Sequence, residues 1–159
     1  MLIFNSKGYL VPNTNIISDL AEMETEFVNN IISNKRNSLF DKYLHYSSEL
    51  KNFFNGSPLL QWIDGSFVTK KSDPGDIDLV TFIDEELAFN LGTDIDNFKY
   101  PSSLELYGVD AYLVKVYNRE HKKHPLYIGD RMYWMDKFDK TYRNRIGQKS
   151  PKGFIEIIF

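Results

Sequence analysis

The spacing of apolar residues changes near Pro58, and that change divides the predicted elements. Upstream, Leu20, Met23, Phe27 and Ile31 recur at intervals of three and four, one face of a helix, with Ser18 as its N-cap. A second helix is predicted over about residues 36–54, with Leu39, Phe40, Tyr43 and Leu50 as its apolar positions. Asn55-Gly56-Ser57-Pro58 stops it. Downstream, residues 59–63 form a short apolar run bounded by turn residues, which reads as a buried strand. Residues 67–71 suit one or two helical turns, and Ser72-Asp73-Pro74-Gly75 suits a type II turn. A second strand is predicted over 76–83, a short helix over 84–91, a loop over 92–103 and a third strand over 109–116. A helix over 129–142 and a strand over 153–159 complete the pattern, and residues 1–15 read as an extended arm.

This alternation predicts an α/β fold, α+β in stricter terms: a small mixed sheet with helices packed on one side. The chain has 159 residues, enough for a single domain (1–159) with a sizeable core. It has no cysteine, which excludes a disulfide scaffold, a zinc-thiolate site and a cysteine nucleophile. A formal charge of −3 argues against a nucleic-acid partner held by bulk charge. No apolar stretch approaches the length of a membrane span or signal core, so no membrane partner and a cytoplasmic location are expected.

Charge is distributed unevenly. Between Asp73 and Asp110 there are ten acids and one base, and between Lys137 and Lys152 six bases and one acid. An acidic centre beside a basic tail suits a metal-plus-phosphate site. It equally suits two solvated faces of opposite sign, so specific residues must decide.

Asp76 and Asp78 sit two apart at the start of an apolar strand. Alternation sends both carboxylates to one face, where they repel unless a proton or a cation intervenes. Magnesium suits such a pair, with manganese as a substitute, because it takes one or two protein carboxylates and completes its shell with water and phosphate. Gly65-Ser66 follows the 59–63 strand and opens the predicted helical turn, an arrangement that presents N–H groups to phosphate. Lys70, Lys71 and Lys152 are further candidates to neutralise phosphate. Asp94-Ile95-Asp96 repeats the Asp-x-Asp spacing without an apolar strand after it, and reads as loop. His45, His121 and His124 lack zinc-ligand spacing.

Gly65-Ser66, nine residues, then Asp76-Ile77-Asp78-Leu79 resembles the signature of the DNA polymerase β-like nucleotidyltransferase superfamily. The string from Trp62 to Thr69, with Pro74-Gly75-Asp76-Ile77-Asp78, is similar to that of a bacterial and phage group of small members. The resemblance covers about residues 59–116. It implies a third carboxylate from a later strand, and Asp110 is the one acid in an apolar strand context after the pair. It further implies that Asp76, Asp78 and Asp110 hold the metal and carry catalysis, with Gly65 and Ser66 on the phosphates of a nucleoside triphosphate. The product would be a nucleotidylated protein or small molecule, and the partner a helical protein encoded nearby, as in toxin–antitoxin or defence pairs. Asp64 departs from the apolar residue common at that place. The alternative is a non-catalytic module that keeps the fold and binds a nucleotide or a partner.

Overall fold

The computed structural model describes residues 1–90 and 92–159. The arm is not merely extended. β1 (Ile3–Phe4) and β2 (Leu10–Val11) pair antiparallel, and β3 (Asn15–Ile17) joins the main sheet. α1 (Leu20–Glu24) is capped by Asp19, whose carboxylate accepts from Glu22 N–H at 2.8 Å. The expected cap, Ser18, instead donates its hydroxyl to Glu22 at 2.7 Å. A π-helical turn over Thr25–Asn29 continues α1, keeping Met23 and Phe27 buried and ending short of Ile31. α2 (Asn34–Phe53) carries Leu39, Phe40, Tyr43 and Leu50 into the core, as its spacing predicts.

β4 (Leu60–Asp64) leads into a turn at Phe67 and Val68, not a helix. Both side chains are buried, and Arg36 collects the carbonyls of Phe67, Thr69 and Lys71, so this backbone bonds outward rather than to itself. β5 (Asp78–Asp84) starts two residues later than expected, and α3 (Glu85–Asn90) follows it. The predicted helix end at Leu91 lies outside the described residues. The expected loop over 92–103 holds a 3₁₀ turn (Asp94–Phe98) and the start of α4 (Ser102–Tyr107), because Ile95 and Phe98 are buried against the core. α4 ends at Gly108, which takes φ 70°. β6 (Asp110–Val116) is followed by α5 (His124–Phe138), shifted toward the N-terminus from the predicted 129–142. Pro125 in its first turn fixes that start. β7 (Phe154–Ile158) is the last strand.

The main sheet has the order β3-β7-β4-β5-β6. β3–β7 and β5–β6 are parallel, and β7–β4 and β4–β5 antiparallel, which makes the mixed sheet that the pattern predicts. Helical side chains of α1 and α2, including Met23, Tyr43, Tyr46 and Leu50, join Ile63, Leu79, Ile83 and Ala111 in one apolar cluster. Within it Tyr43 donates to Gln61 at 2.9 Å, and Gln61 donates to Thr81 at 3.2 Å, so these buried polar groups are satisfied. The one-sided packing is incomplete, however. Trp62, Val80, Phe82, Val114 and Phe154 form a second cluster with Trp134 and Phe138 of α5. Alternation on β4, β5 and β6 puts Asp64, Asp78 and Asp110 on this second face, one same-face position from Trp62, Val80 and Tyr112.

Candidate active site

Register brings the acids together. Asp64 pairs with Asp78 across β4–β5, and Asp78 pairs with Asp110 across β5–β6. Three carboxylates therefore stand in a row on adjacent strands, about 5 Å apart at the backbone. Asp110 shares its face with Asp78, and Tyr112 lies on that face too, while Ala111 is buried in the other cluster. Asp64 is a member of the row that its position beside Gly65 did not reveal.

Asp78 is 6% exposed, and no donor among the described residues reaches its carboxylate. Burial, followed by the charges of Asp76, Asp64 and Asp110, raises its pKa to about 7. Asp110 Oδ1 is buried and has no hydrogen-bond partner. Asp64 is raised to about 6 by burial, against the opposing pull of Lys152. The row is thus rich in oxygen donors and short of positive charge, a set that fits a hard divalent cation. Among the described residues, no three His, Asp or Glu side chains are gathered closely enough to form a cation cage as they stand.

Gly65 and Ser66 lie against Asp76, but not as a helix N-terminus. Asp76 Oδ1 accepts from Ser66 N–H at 2.7 Å and from Ser66 Oγ at 2.6 Å, and Ser66 Oγ accepts from Gly75 N–H at 2.8 Å. Phe67 N–H donates to the Asp76 carbonyl at 3.2 Å. Gly65 has φ 86°, and a Cβ there would meet Asp76 O at 3.0 Å and Asp78 N at 3.1 Å. Its glycine character serves this backbone approach. The phosphate-facing N–H groups expected at a helix start are therefore partly engaged within the chain.

A cleft of about 910 Å³ opens over this corner. Gly65, Ser66, Asp76, Lys70, Lys71 and Lys152 all line it, as do Lys7, Lys137, Lys140 and Lys149. From the acidic centre only Asp76 lines it, beside Asp64 of β4, while Asp78 and Asp110 do not; the basic tail contributes Lys137, Lys140, Lys149 and Lys152. The lysines are not equivalent. Lys70 is tied to Glu26 at 3.0 Å and lies over the Phe4 ring at 4.1 Å. Lys140 is tied to Asp136 at 2.5 Å. Lys152, a candidate to neutralise phosphate, is instead 5% exposed and ion-paired with Asp64. Lys71 and Lys149 are exposed.

Two contributors carried no sequence signal. Partial burial of its phenol, followed by the charges of Asp78, Asp76, Asp110 and Asp64, pushes Tyr142 above its ordinary value, so this cleft residue sits in the field of the acids. Arg36, fully buried, donates to Phe27 O at 2.9 Å, Phe67 O at 2.8 Å and Thr69 O at 2.6 Å, and also to Lys71 O. It shapes the wall from beneath. Asp94 and Asp96 sit on the 3₁₀ turn with Ile95 buried between them, away from the row.

The chain belongs to a family of unknown function (DUF6932), whose profile matches residues 2–158. A comparison with curated proteins gave no match, and neither did one with solved structures. Among the described residues, no helix is long and apolar enough to cross a membrane.

Proposed function

We propose that this protein is a magnesium-dependent nucleotidyltransferase, moving a nucleoside monophosphate from a triphosphate to a protein or small-molecule acceptor. The observation that supports this reading most is the Asp64–Asp78–Asp110 row on adjacent strands, of which Asp64, with Asp76, lines a cleft shared with several lysines. Asp76, Asp78 and Asp110 are the residues that would hold the ion. Bound there, magnesium or manganese would offset phosphate charge at the reacting phosphorus.

The chain's own groups have distinct tasks. Lys71 and Lys149 offer exposed ammonium groups to the polyphosphate. Gly65 and Ser66 form the floor beneath it. The acceptor oxygen bonds to the α-phosphorus, the α–β phosphoanhydride breaks, and pyrophosphate leaves. Asp110, with its unpartnered Oδ1, takes the acceptor's proton. The protein is read as working in the cytoplasm, with an acceptor or helical partner encoded nearby, in a toxin–antitoxin or defence setting.

The test is transfer of label from an α-³²P nucleoside triphosphate to lysate or to the neighbouring gene's product. Label should transfer from the α position and not from the γ position, and Asp78→Asn should abolish transfer. A second reading, a non-catalytic nucleotide- or partner-binding module, is favoured by the engagement of Ser66 with Asp76. Nucleotide binding without transfer of label from any of the four nucleotides would select it.

A further inference from the structure

α5 is apolar on the side turned away from the sheet as well as on the side packed against it. We infer that this outer face joins two copies of the chain, packed antiparallel across Gly129, so that each copy brings its Lys122 to the rim of the other's cleft.

On the inner side, Tyr127, Trp134, Met135 and Phe138 pack against the sheet. On the outer side Leu126 is 60% exposed, Met132 67% and Tyr133 60%. Steps of three and four place these on one face with Pro125, Gly129 and Asp136. A surface helix ordinarily turns polar groups to solvent. α2 does so, since every exposed position on it is polar, Lys35, Asn37, Asp41 and Glu49 among them. Gly129 stands at the centre of the α5 face. Glycine in a helix interior is destabilising, and a Cβ there would meet nothing within 4 Å. The chain's own packing therefore does not require this glycine. A second backbone approaching from outside does.

Two-fold symmetry about Gly129 sets the register, because residues equally far before and after it lie level on the two copies. Lys122, in the turn leading into α5, is seven positions before Gly129, and Asp136 is seven after. Opposite charges thus meet at both ends of the seam, about 10 Å along the axis from its centre. Between them Leu126 and Pro125 pack against the partner's Tyr133 and Met132. A parallel pair would set Lys122 against Lys122 and Asp136 against Asp136, so charge selects the antiparallel arrangement and a second copy of this chain. Lys140 holds Asp136 through one oxygen, Oδ1, on a carboxylate that is 78% exposed. Tyr133 and Asp136 also line the cleft, so a lysine set against Asp136 stands at its rim and adds to the cleft's positive charge. A single helix pair is small for a protein interface, so the dimer forms reversibly. The inference does not depend on the transferase reading.

Sedimentation equilibrium of the full chain, from micromolar to near-millimolar concentration, should show a monomer–dimer equilibrium. Met132→Glu should lose the dimer. So should Gly129→Leu, whose side chain has room on a single chain and none between two, and urea unfolding should find both variants folded. Lys122→Glu and Asp136→Lys should each weaken dimerisation several-fold, and the double variant should restore it. Gly129→Cys, in a chain with no other cysteine, should cross-link to its own copy under mild oxidation, whereas Ile32→Cys, at a position 98% exposed between the π-helical turn and α2, should not. A wild type that stays monomeric throughout overturns the inference, as does a dimer that Met132→Glu and Gly129→Leu leave intact. A dimer that they break, but that the double charge swap does not restore, overturns the antiparallel register and with it the place of Lys122.

Discussion

Ser66 and Asp76 are joined twice, through the backbone N–H and the hydroxyl of the serine to a single carboxylate oxygen. That clasp closes the nine-residue stretch between Ser66 and Asp76 and uses only one of the two Asp76 oxygens. A serine read in sequence as a phosphate donor is, in the fold, a tether for one of the metal-binding candidates.

Ser66→Ala removes the hydroxyl that bridges Asp76 and Gly75. It should lower stability by about 1 kcal/mol in urea unfolding, since partly exposed hydrogen bonds contribute modestly. It should also weaken Mn²⁺ binding a few-fold by freeing Asp76. Unchanged values for both would show that the clasp positions nothing.

Asp78 and Asp64 should make stability depend on pH. Their folded pKa values, about 7 and about 6, lie above the unfolded value of about 3.9. The folded state therefore binds more protons than the unfolded state across that window, and stability falls as pH rises from about 4 to about 7. Asp78→Asn should flatten the slope and stabilise the metal-free protein at pH about 8 by roughly 2 kcal/mol. Urea unfolding across this range reads the effect, and a slope of the opposite sign would contradict it.

Metal should reverse that penalty. Magnesium or manganese with a nucleotide should raise the melting temperature of the wild type and leave Asp78→Asn unmoved. Calorimetric titration should show binding in the first protein and none in the second. Equal binding by both would remove Asp78 from the site.

Arg36→Met should cost about 3 kcal/mol or more, because it strands carbonyls of Phe27, Phe67, Thr69 and Lys71 that one guanidinium satisfies. Arg36→Lys should recover little, since an ammonium lacks the planar fork that reaches several acceptors at once. Urea unfolding measures both variants. Full stability in Arg36→Lys would show that charge alone, not the fork, holds the 67–71 turn.

The strands of the site were legible because local pattern determines them. β4 and β5 are buried on both faces, so their apolar runs stand out, and alternation alone assigns Asp78 and Asp110 to a shared side once the strands pair. What lay beyond reading was set by distant partners. Phe67 and Val68 look like the start of a helix, but Arg36, thirty-one positions before Phe67, takes the carbonyls a helix would use. Lys152 reads as a lysine free for phosphate because its partner Asp64 is 88 positions away. The α4 helix hid in a polar, proline-containing stretch whose buried anchors, Ile95 and Phe98, precede it. Asp64 carried no mark of its place in the row, since only the β4–β5 register reveals it.

The position of β7 has a temporal consequence. It follows every other strand in the chain, yet it lies between β3 and β4 in the sheet. During synthesis, β3 has no neighbour and β4 has an open side until Phe154–Ile158 emerges. Lys152 arrives just before it, so Asp64 waits for its counter-charge over the same interval. The hairpin of β4 and β5 can form early, but the acidic row stays uncompensated on a nascent chain. Assembly of the sheet and completion of the site are therefore one late event, and a ribosome-bound fragment ending before residue 152 lacks both.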